Sequence, residues 1–305
     1  MPHDVVIIGG GPAGLSAALA LGRARKRVLL CDSGPRRNAA AEHLHNFVTR
    51  DGTPPDAFRA IAREELGRYA NVEVRDVRVE AITGVRGAFR VALAGGEPAP
   101  ARRVLLAVGM IDEMLPLEGF RELWGRAIFQ CPYCHGWEAQ DRIWGVLVRA
   151  AHAAHFLPFA IQARGWTRDV VAFTDGAVEL ADDAREKLAA AGVRLETEPV
   201  ARLIREGDRL DAVELASGAR VRCDVLFAHP PQRQVDLVRD LGVALDGDGF
   251  VAVDPMRRET SIPGIYASGD ATTRMQGALF AAASGTHAAT MLNVDLALAL
   301  ATPPA

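Results

Sequence analysis

The chain has 305 residues, enough for two domains of ordinary size, and its 49% hydrophobic and 24% charged content is the profile of a globular protein in water. A formal net charge of −3 gives no sign of a basic surface for nucleic acid or an anionic membrane. The longest apolar runs, such as VLLAVGMI, fall far short of the roughly 20 residues of a membrane helix, so neither partner is expected.

The chain opens on MPHDVVIIGGG, without a basic leader or a cleavage site, which points away from secretion. Its 4 cysteines are too few for a disulfide-stapled scaffold, so the expected location is the reducing cytoplasm. In chain order, DVVIIG (4–9) is a short run rich in β-branched residues and reads as a buried parallel strand. PAGLSAALALGRARK (12–26) reads as a helix and RVLLCD (27–32) as a second strand. A loop, HNFVTRDGTPPD, leads into an amphipathic helix, AFRAIAREELGRY (57–69). Strand-like segments follow at NVEVRDVRVEAI, AFRVALA and RRVLLAVG. A second strand–helix–strand pattern runs through DRIWGVLV, AAHAAHFLPFAIQARG and DVVAFTD. Beyond it come a helix, DDAREKLAAAGV, and a hairpin plus strand in RLDAVELASGARVRCDVLFA. A strand pair, GFVAVD with GIYASGD, and a helix from about Ala278 complete the pattern. The duplicated βαβ unit predicts an α/β protein of two Rossmann-like, doubly wound, three-layer domains.

The first unit carries Gly9-x-Gly11-x-x-Gly14 between strand and helix. Gly9 permits the tight turn, Gly11 lets backbone approach a pyrophosphate, and Gly14 lets the helix pack closely on the strand. The helix N-terminus then presents free N–H groups to the phosphates. Asp32, at the end of the next strand, has the spacing of a carboxylate that holds a ribose hydroxyl. NAD and FAD share this fingerprint.

Three motifs, GGGPAG near the start, LLAVG closing the first domain segment and ASGD near the end, stand in a family order with a central C-x-x-C. In them the chain resembles the pyridine nucleotide–disulfide oxidoreductase flavoproteins, most closely their low-molecular-weight thioredoxin reductase branch. The resemblance implies FAD as cofactor and a discontinuous FAD domain, 1–113 with 246–305, into which a NAD(P)H-binding-like domain, 117–243, is inserted. It also implies a homodimer. By the same resemblance Pro12 and Ala13 belong to the phosphate loop with the three glycines, and Asp270 holds the ribityl chain. Asn46, Gly109 and Gln276 would likewise contribute to the cofactor site.

Beside an FAD site, Cys131-Pro132-Tyr133-Cys134 suits a redox dithiol, with a structural pair or a zinc site as the alternatives. Zinc needs four ligands or three plus water, whereas Cys31 lies on a strand and Cys223 stands alone in RVRCDV; no metal is expected. A C-x-x-C pair at a helix start has a lowered thiol pKa. The resemblance makes Cys134 the flavin-proximal sulfur and Cys131 the outer one, which exchanges with substrate. His135 stands where thioredoxin reductases usually carry aspartate. An ordinary histidine titrates near 6.5 and suits a base that removes thiol protons. Glu138, three residues on, would share a helix face with His135 and orient its imidazole. CPYCHGWE is similar to the segment of the sub-branch that contains the gliotoxin and holomycin dithiol oxidases. His43 and His45 sit in a loop that this resemblance brings near the flavin, as candidates to line a substrate site. Tyr133 and Trp137 suit an apolar substrate, Trp137 doubling as a core candidate. His152 and His155, three apart on a helix, are expected to face solvent.

In the second unit VLVRAAHAAH replaces the nucleotide fingerprint, with Arg149, Ala151 and Ala154 at the glycine positions. Side chains at the first two fill the space of a pyrophosphate, and Asp175 after the next strand repels a 2′-phosphate. NADPH is therefore not expected to bind. Together these readings predict an FAD-dependent dithiol oxidase that forms a disulfide in a small-molecule or protein dithiol, with oxygen as acceptor. The alternatives are a reductase fed by ferredoxin or another flavoprotein, and a flavin redox sensor without turnover.

Overall fold

The computed structural model describes residues 1–148 and 153–301, with backbone alone at 153–156. The chain begins β1 (His3–Ile8), α1 (Pro12–Arg23), β2 (Val28–Asp32), α2 (Pro55–Leu66), β3 (Val72–Asp76), β4 (Val79–Val85), β5 (Ala88–Leu93), β6 (Ala99–Leu106) and β7 (Ile111–Asp112). It continues with α3 (Phe120–Leu123), β8 (Ile128–Phe129), α4 (Pro132–His135), β9 (Trp144–Leu147), α5 (Ala153–Gln162), β10 (Val170–Phe173), α6 (Asp182–Ala190), β11 (Val193–Glu196), β12 (Val200–Glu206), β13 (Arg209–Leu215), β14 (Arg220–Arg222) and β15 (Val225–Ala228). The last elements are β16 (Gln232–Arg233), α7 (Asp236–Leu241), β17 (Ile265–Ala267) and α8 (Ala278–Leu298).

These elements form two compact units. Unit 1 comprises Met1–Ala39, Phe47–Ile111 and Gln232–Ala305; unit 2 comprises Ala40–Asn46 and Asp112–Pro231. Residues 232–243, which the sequence assigns to the inserted domain, pack in unit 1. Val238 and Val243 join a core with Val6, Leu29 and Leu106, because α7 turns its apolar residues onto that face of the sheet.

In unit 1 the strand order is β3-β2-β1-β6-β5-β4, with β17 added to β6. β6 is shared along its length. Residues 99–101 pair antiparallel with β5, and residues 104–106 pair parallel with β17. The register sets Ile8 beside Cys31 and Leu106, and Leu106 beside Ala267. The carboxyl ends of β1, β2, β6 and β17 therefore coincide, which is where ligands bind open α/β sheets. Val5–Ile8 of β1 and Val28–Cys31 of β2 are apolar because both faces are covered, one by α1, α2 and α8 and the other by side chains of β4, β5 and α7.

GFVAVD, expected as a strand, contributes only the isolated bridge Leu245↔Val251. Its amides are used locally: Phe250 N–H donates to Asp246 Oδ1 and Val251 N–H to the Ala271 carbonyl. GIYASGD pairs instead with β6.

Unit 2 holds a parallel sheet of order β11-β10-β9-β15-β8 and an antiparallel sheet β12-β13-β14. β8 is an edge strand, paired with β15 through Ile128 and Phe129. The cysteine pair follows immediately after it, at the carboxyl edge of this second sheet. No described helix is long and apolar enough to cross a membrane.

Candidate functional site

The carboxyl edge of unit 1 is built from residues with no room for a larger side chain. A Cβ on Gly9 would lie 2.3 Å from the Ala107 carbonyl oxygen, and one on Gly14 would lie 1.9 Å from the Gly9 oxygen. Gly9 also has φ +110°, a conformation that favours glycine. Gly11 is different: a Cβ there would meet nothing within 4 Å, so the space over this backbone is open. Pro12 opens α1 at a position where its missing N–H costs nothing. Ala13 is buried, and a Cβ on Gly269 would come within 3.0 Å of its Cβ. That packing seats the Ser268-Gly269-Asp270 turn against the first turn of α1. Gly109, after β6, has φ +67° and open space where a Cβ would stand.

Asp32 is buried and engaged on both oxygens. Oδ1 accepts from the Gly34 N–H at 3.1 Å, while Oδ2 is paired with Arg59 and, at 3.1 Å, with Arg63. Asp270 Oδ2 lies 3.0 Å from the Arg37 guanidinium, which also donates to Gln276 Oε1. Gln276 exchanges amide hydrogen bonds with Gln232 at 2.9 and 3.0 Å. The sequence reading missed Arg37, Arg59, Arg63 and Gln232. Arg59 and Arg63 lie one helical turn apart in α2, a spacing visible in the sequence, but nothing local names Asp32 as their partner.

Unit 2 presents the sulfurs. Cys131 caps α4 in extended conformation, Pro132 starts the helix, and Cys134 lies one turn later. Cys134 Sγ donates to Cys131 Sγ across 2.7 Å. That hydrogen bond, aided by the backbone N–H groups of Cys134 and Tyr133, brings the Cys131 thiol down to about 7 against the opposing effect of burial. Cys31 and Cys223 are the reverse case, since burial pushes their thiols up to about 11 and about 12.

His135 stacks flat on Phe129, with ring centroids 4.1 Å apart and planes 12° apart. Its Nδ1 is buried with no hydrogen-bond partner. The expected titration near 6.5 does not hold here: burial pushes the imidazole down to about 4, outweighing the opposite effect of Glu138. The Glu138 carboxylate pairs with His45 and not, as its spacing in the sequence suggests, with His135. Its Oε1 lies 3.5 Å from Nε2 of His45. Asn46, with φ +61°, donates from Nδ2 to the Tyr133 carbonyl and so sits on the cysteine turn within unit 2. His43 is exposed, its ring centroid 6.2 Å from that of His45.

Gly136 allows α4 to lie against Trp166, where a Cβ would come within 2.8 Å of the indole nitrogen. Tyr133 meets Trp166 edge-on at 5.5 Å and accepts a hydrogen bond from Gln162 at 2.7 Å. Trp137 is not a core residue; it is 73% exposed. Asp175 has φ +53° and accepts from the Val200 N–H at 2.7 Å. Arg149, Ala151 and His152 lie outside the described residues, as do the side chains of Ala154 and His155.

The profile of the family described as pyridine nucleotide-disulphide oxidoreductase matches residues 3–285. The chain belongs to that family. It is an FAD-dependent disulfide oxidoreductase of the thioredoxin reductase-like branch, with the two-domain Rossmann fold expected from the sequence. Thioredoxin reductase sirT of Leptosphaeria maculans is 32% identical, covering 95% of this chain and 93% of its own. The crystal structure of HlmI superposes with a TM-score of 0.88 at 39% identity, over 98% of this chain and 95% of that one. The oxidoreductase from Agrobacterium tumefaciens gives a TM-score of 0.88 at 37% identity, with both chains covered in full (100% and 100%).

The residues of unit 1 fit FAD. Gly9 and Gly14 leave no room for a Cβ, Gly11 has open space above it, and the α1 N-terminus and the Arg37 cation suit a pyrophosphate.

Proposed function

We propose that this oxidoreductase is a dithiol oxidase, in which Cys131 and Cys134 form the redox pair that takes electrons from a substrate dithiol. The observation that carries the reading is the pair itself: two sulfurs 2.7 Å apart, one of them held to about 7 by its neighbour. Gly9, Gly11, Pro12, Ala13, Gly14, Asp32, Gly109, Asp270 and Gln276 would hold FAD in unit 1, and Asn46 keeps its proposed place at the cofactor from segment 40–46. Bound FAD supplies a two-electron acceptor that molecular oxygen can reoxidise.

The chain's own part is thiol–disulfide exchange. With Cys131 and Cys134 joined, a substrate thiolate attacks Cys131 Sγ; the new S–S bond forms there and the electron pair of the old one leaves on Cys134. The second substrate sulfur then attacks the substrate sulfur of the mixed disulfide and expels Cys131. A thiol of low pKa leaves faster, and the Cys131 thiol is held to about 7. The substrate departs as a disulfide, and the two cysteines have gained its two electrons. His135 remains neutral throughout the physiological range, packed on Phe129. The exposed rings of Tyr133 and Trp137 flank the turn and suit an apolar small-molecule dithiol.

NADPH is not the proposed donor, on the strength of Arg149, Ala151 and Ala154 in place of the glycine fingerprint. Asp175 does not argue for a nucleotide either, since its carboxylate is engaged on the Val200 amide. A second reading is favoured by the names of the relatives, thioredoxin reductases. It runs the exchange in the opposite direction, from a donor such as ferredoxin or another flavoprotein to a protein disulfide.

Anaerobic reduction of the purified protein by dithiothreitol and by NADPH in parallel, followed by air, separates these readings. Bleaching by the dithiol alone, with oxygen uptake when air is admitted, is expected. Rapid bleaching by NADPH overturns the oxidase reading.

A further inference from the structure

Turning a dithiol into a disulfide releases protons at the reacting sulfurs, and the attacking sulfur must lose its proton first because only thiolate is nucleophilic. The imidazole next to Cys134 is poorly suited to take it. His135 is stacked on Phe129 with a buried, unpartnered Nδ1, and burial keeps its conjugate acid at about 4.

A second imidazole is built into the same cluster from a distant part of the sequence. Residues 40–46 pack with unit 2 and are fixed there at several points. Ala40 sits so close to Gly125 that a Cβ there would lie 2.6 Å from the alanine Cβ. Leu44 is buried. Asn46 donates to the Tyr133 carbonyl, inside the Cys131–Cys134 turn itself, and its φ of +61° bends the strap toward that contact. Between these anchors His45 stands 3.5 Å from the Glu138 carboxylate, its side chain 18% exposed. It lies near enough to His135 for their charges to interact. Among the described residues, the titratable groups facing His45 include Glu138 and His135 from the α4 turn and its continuation, and His43 from its own segment.

The geometry points to His45, paired with Glu138, as the residue that accepts the proton of the attacking substrate thiol. The assignment rests on the dithiol-exchange reading above. The step balances. The substrate S–H gives its proton to the imidazole, substrate sulfur bonds to Cys131 Sγ, and the Cys131–Cys134 bond breaks with its electron pair leaving on Cys134. Glu138 Oε1, 3.5 Å from Nε2, then faces the imidazolium. His45 is the proton acceptor in this scheme and Glu138 a positioning residue. Asn46 and Leu44 hold the strap in place.

The test uses the flavin-loaded full chain with its cysteine pair oxidised, and dithiothreitol as the probe. Reduction of the Cys131–Cys134 disulfide is followed by quenched alkylation and mass spectrometry, and oxygen uptake is measured separately. His45→Gln is expected to slow disulfide reduction by about 10²-fold at neutral pH. The deficit should shrink as pH rises and dithiothreitol ionises by itself. Imidazole added to His45→Gly should restore part of the rate, and Glu138→Gln should lose less than His45→Gln. A merely structural role would show neither the pH recovery nor the imidazole rescue. His45→Gln with the parent rate and pH profile overturns the assignment, as does a deficit indifferent to both pH and imidazole. A parent protein whose disulfide resists dithiothreitol overturns it too. Reduction of the pair without oxygen uptake sinks the oxidase reading, and His45 is still judged by the alkylation data.

Discussion

At the scale of single residues, the chemistry of the cysteine turn follows from what each side chain touches. The Cys134 thiol is the first cause of the lowered Cys131 pKa, so Cys134→Ala removes a donor while leaving the turn in place. In the reduced parent protein, iodoacetamide labelling of Cys131 should reach half its maximal rate near pH 7. In Cys134→Ala the midpoint should move up toward an ordinary thiol; an unmoved midpoint contradicts the hydrogen-bond explanation. His135 predicts a stability effect of definite sign. Its folded-state pKa of about 4 lies below the 6.5 of an exposed histidine, so the unfolded chain takes up a proton that the folded one refuses. Stability should therefore decline as pH falls from about 6.5 toward 4, by on the order of 3 kcal/mol. His135→Phe, which preserves the stack on Phe129, should flatten that part of the pH–stability curve in denaturant titrations. The sequence alone made His135 the natural base because it stands next to a thiol. Only packing reveals that the residue is dehydrated and that Glu138 pairs with His45.

Elements show why small residues recur where the fold is tightest. A Cβ on Gly285, in the first half of α8, would lie 2.0 Å from the Ala13 carbonyl oxygen. α8 and α1 thus approach backbone to backbone, and the Gly269–Ala13 contact sets the Asp270 turn against the same helix. Gly285→Ala should force the two helices apart and destabilise the protein by roughly 1–3 kcal/mol, read as a lower denaturation midpoint. Gly14→Ala is expected to do more. The clash with the Gly9 oxygen at 1.9 Å involves backbone that cannot turn away, so the variant should purify with at least about tenfold less bound flavin per chain by absorbance, a ratio worth about 1.4 kcal/mol in binding. The Gly9-x-Gly11-x-x-Gly14 spacing announces this loop in the sequence because each glycine answers a local need. GFVAVD misleads for a complementary reason. Its alternation is strand-like, yet Asp246 and Ala271 capture its amides before a ladder can form.

For the whole molecule, two units with separate hydrophobic cores imply that a ligand of one stabilises that one first. Removing the flavin should speed hydrogen exchange in β1, α1 and α8 and leave β9 and β10 of unit 2 protected. Equal loss in both units would contradict a cofactor site held chiefly by residues of unit 1. The sequence by itself determined the class of the protein: two Rossmann-like domains, a dinucleotide loop, and a cysteine pair in mid-chain. Periodicity, turn glycines and short motifs are local constraints, and they survive without knowledge of what lies opposite. Only the tertiary structure decided the rest. It returned residues 232–243 to the first unit and brought segment 40–46 onto the second. It placed Arg59 and Arg63 on Asp32, Arg37 on Asp270, and His45 on Glu138. Each of these pairings joins residues 27 to 233 positions apart, and a charge in a sequence carries no mark of the distant partner that folding will set beside it.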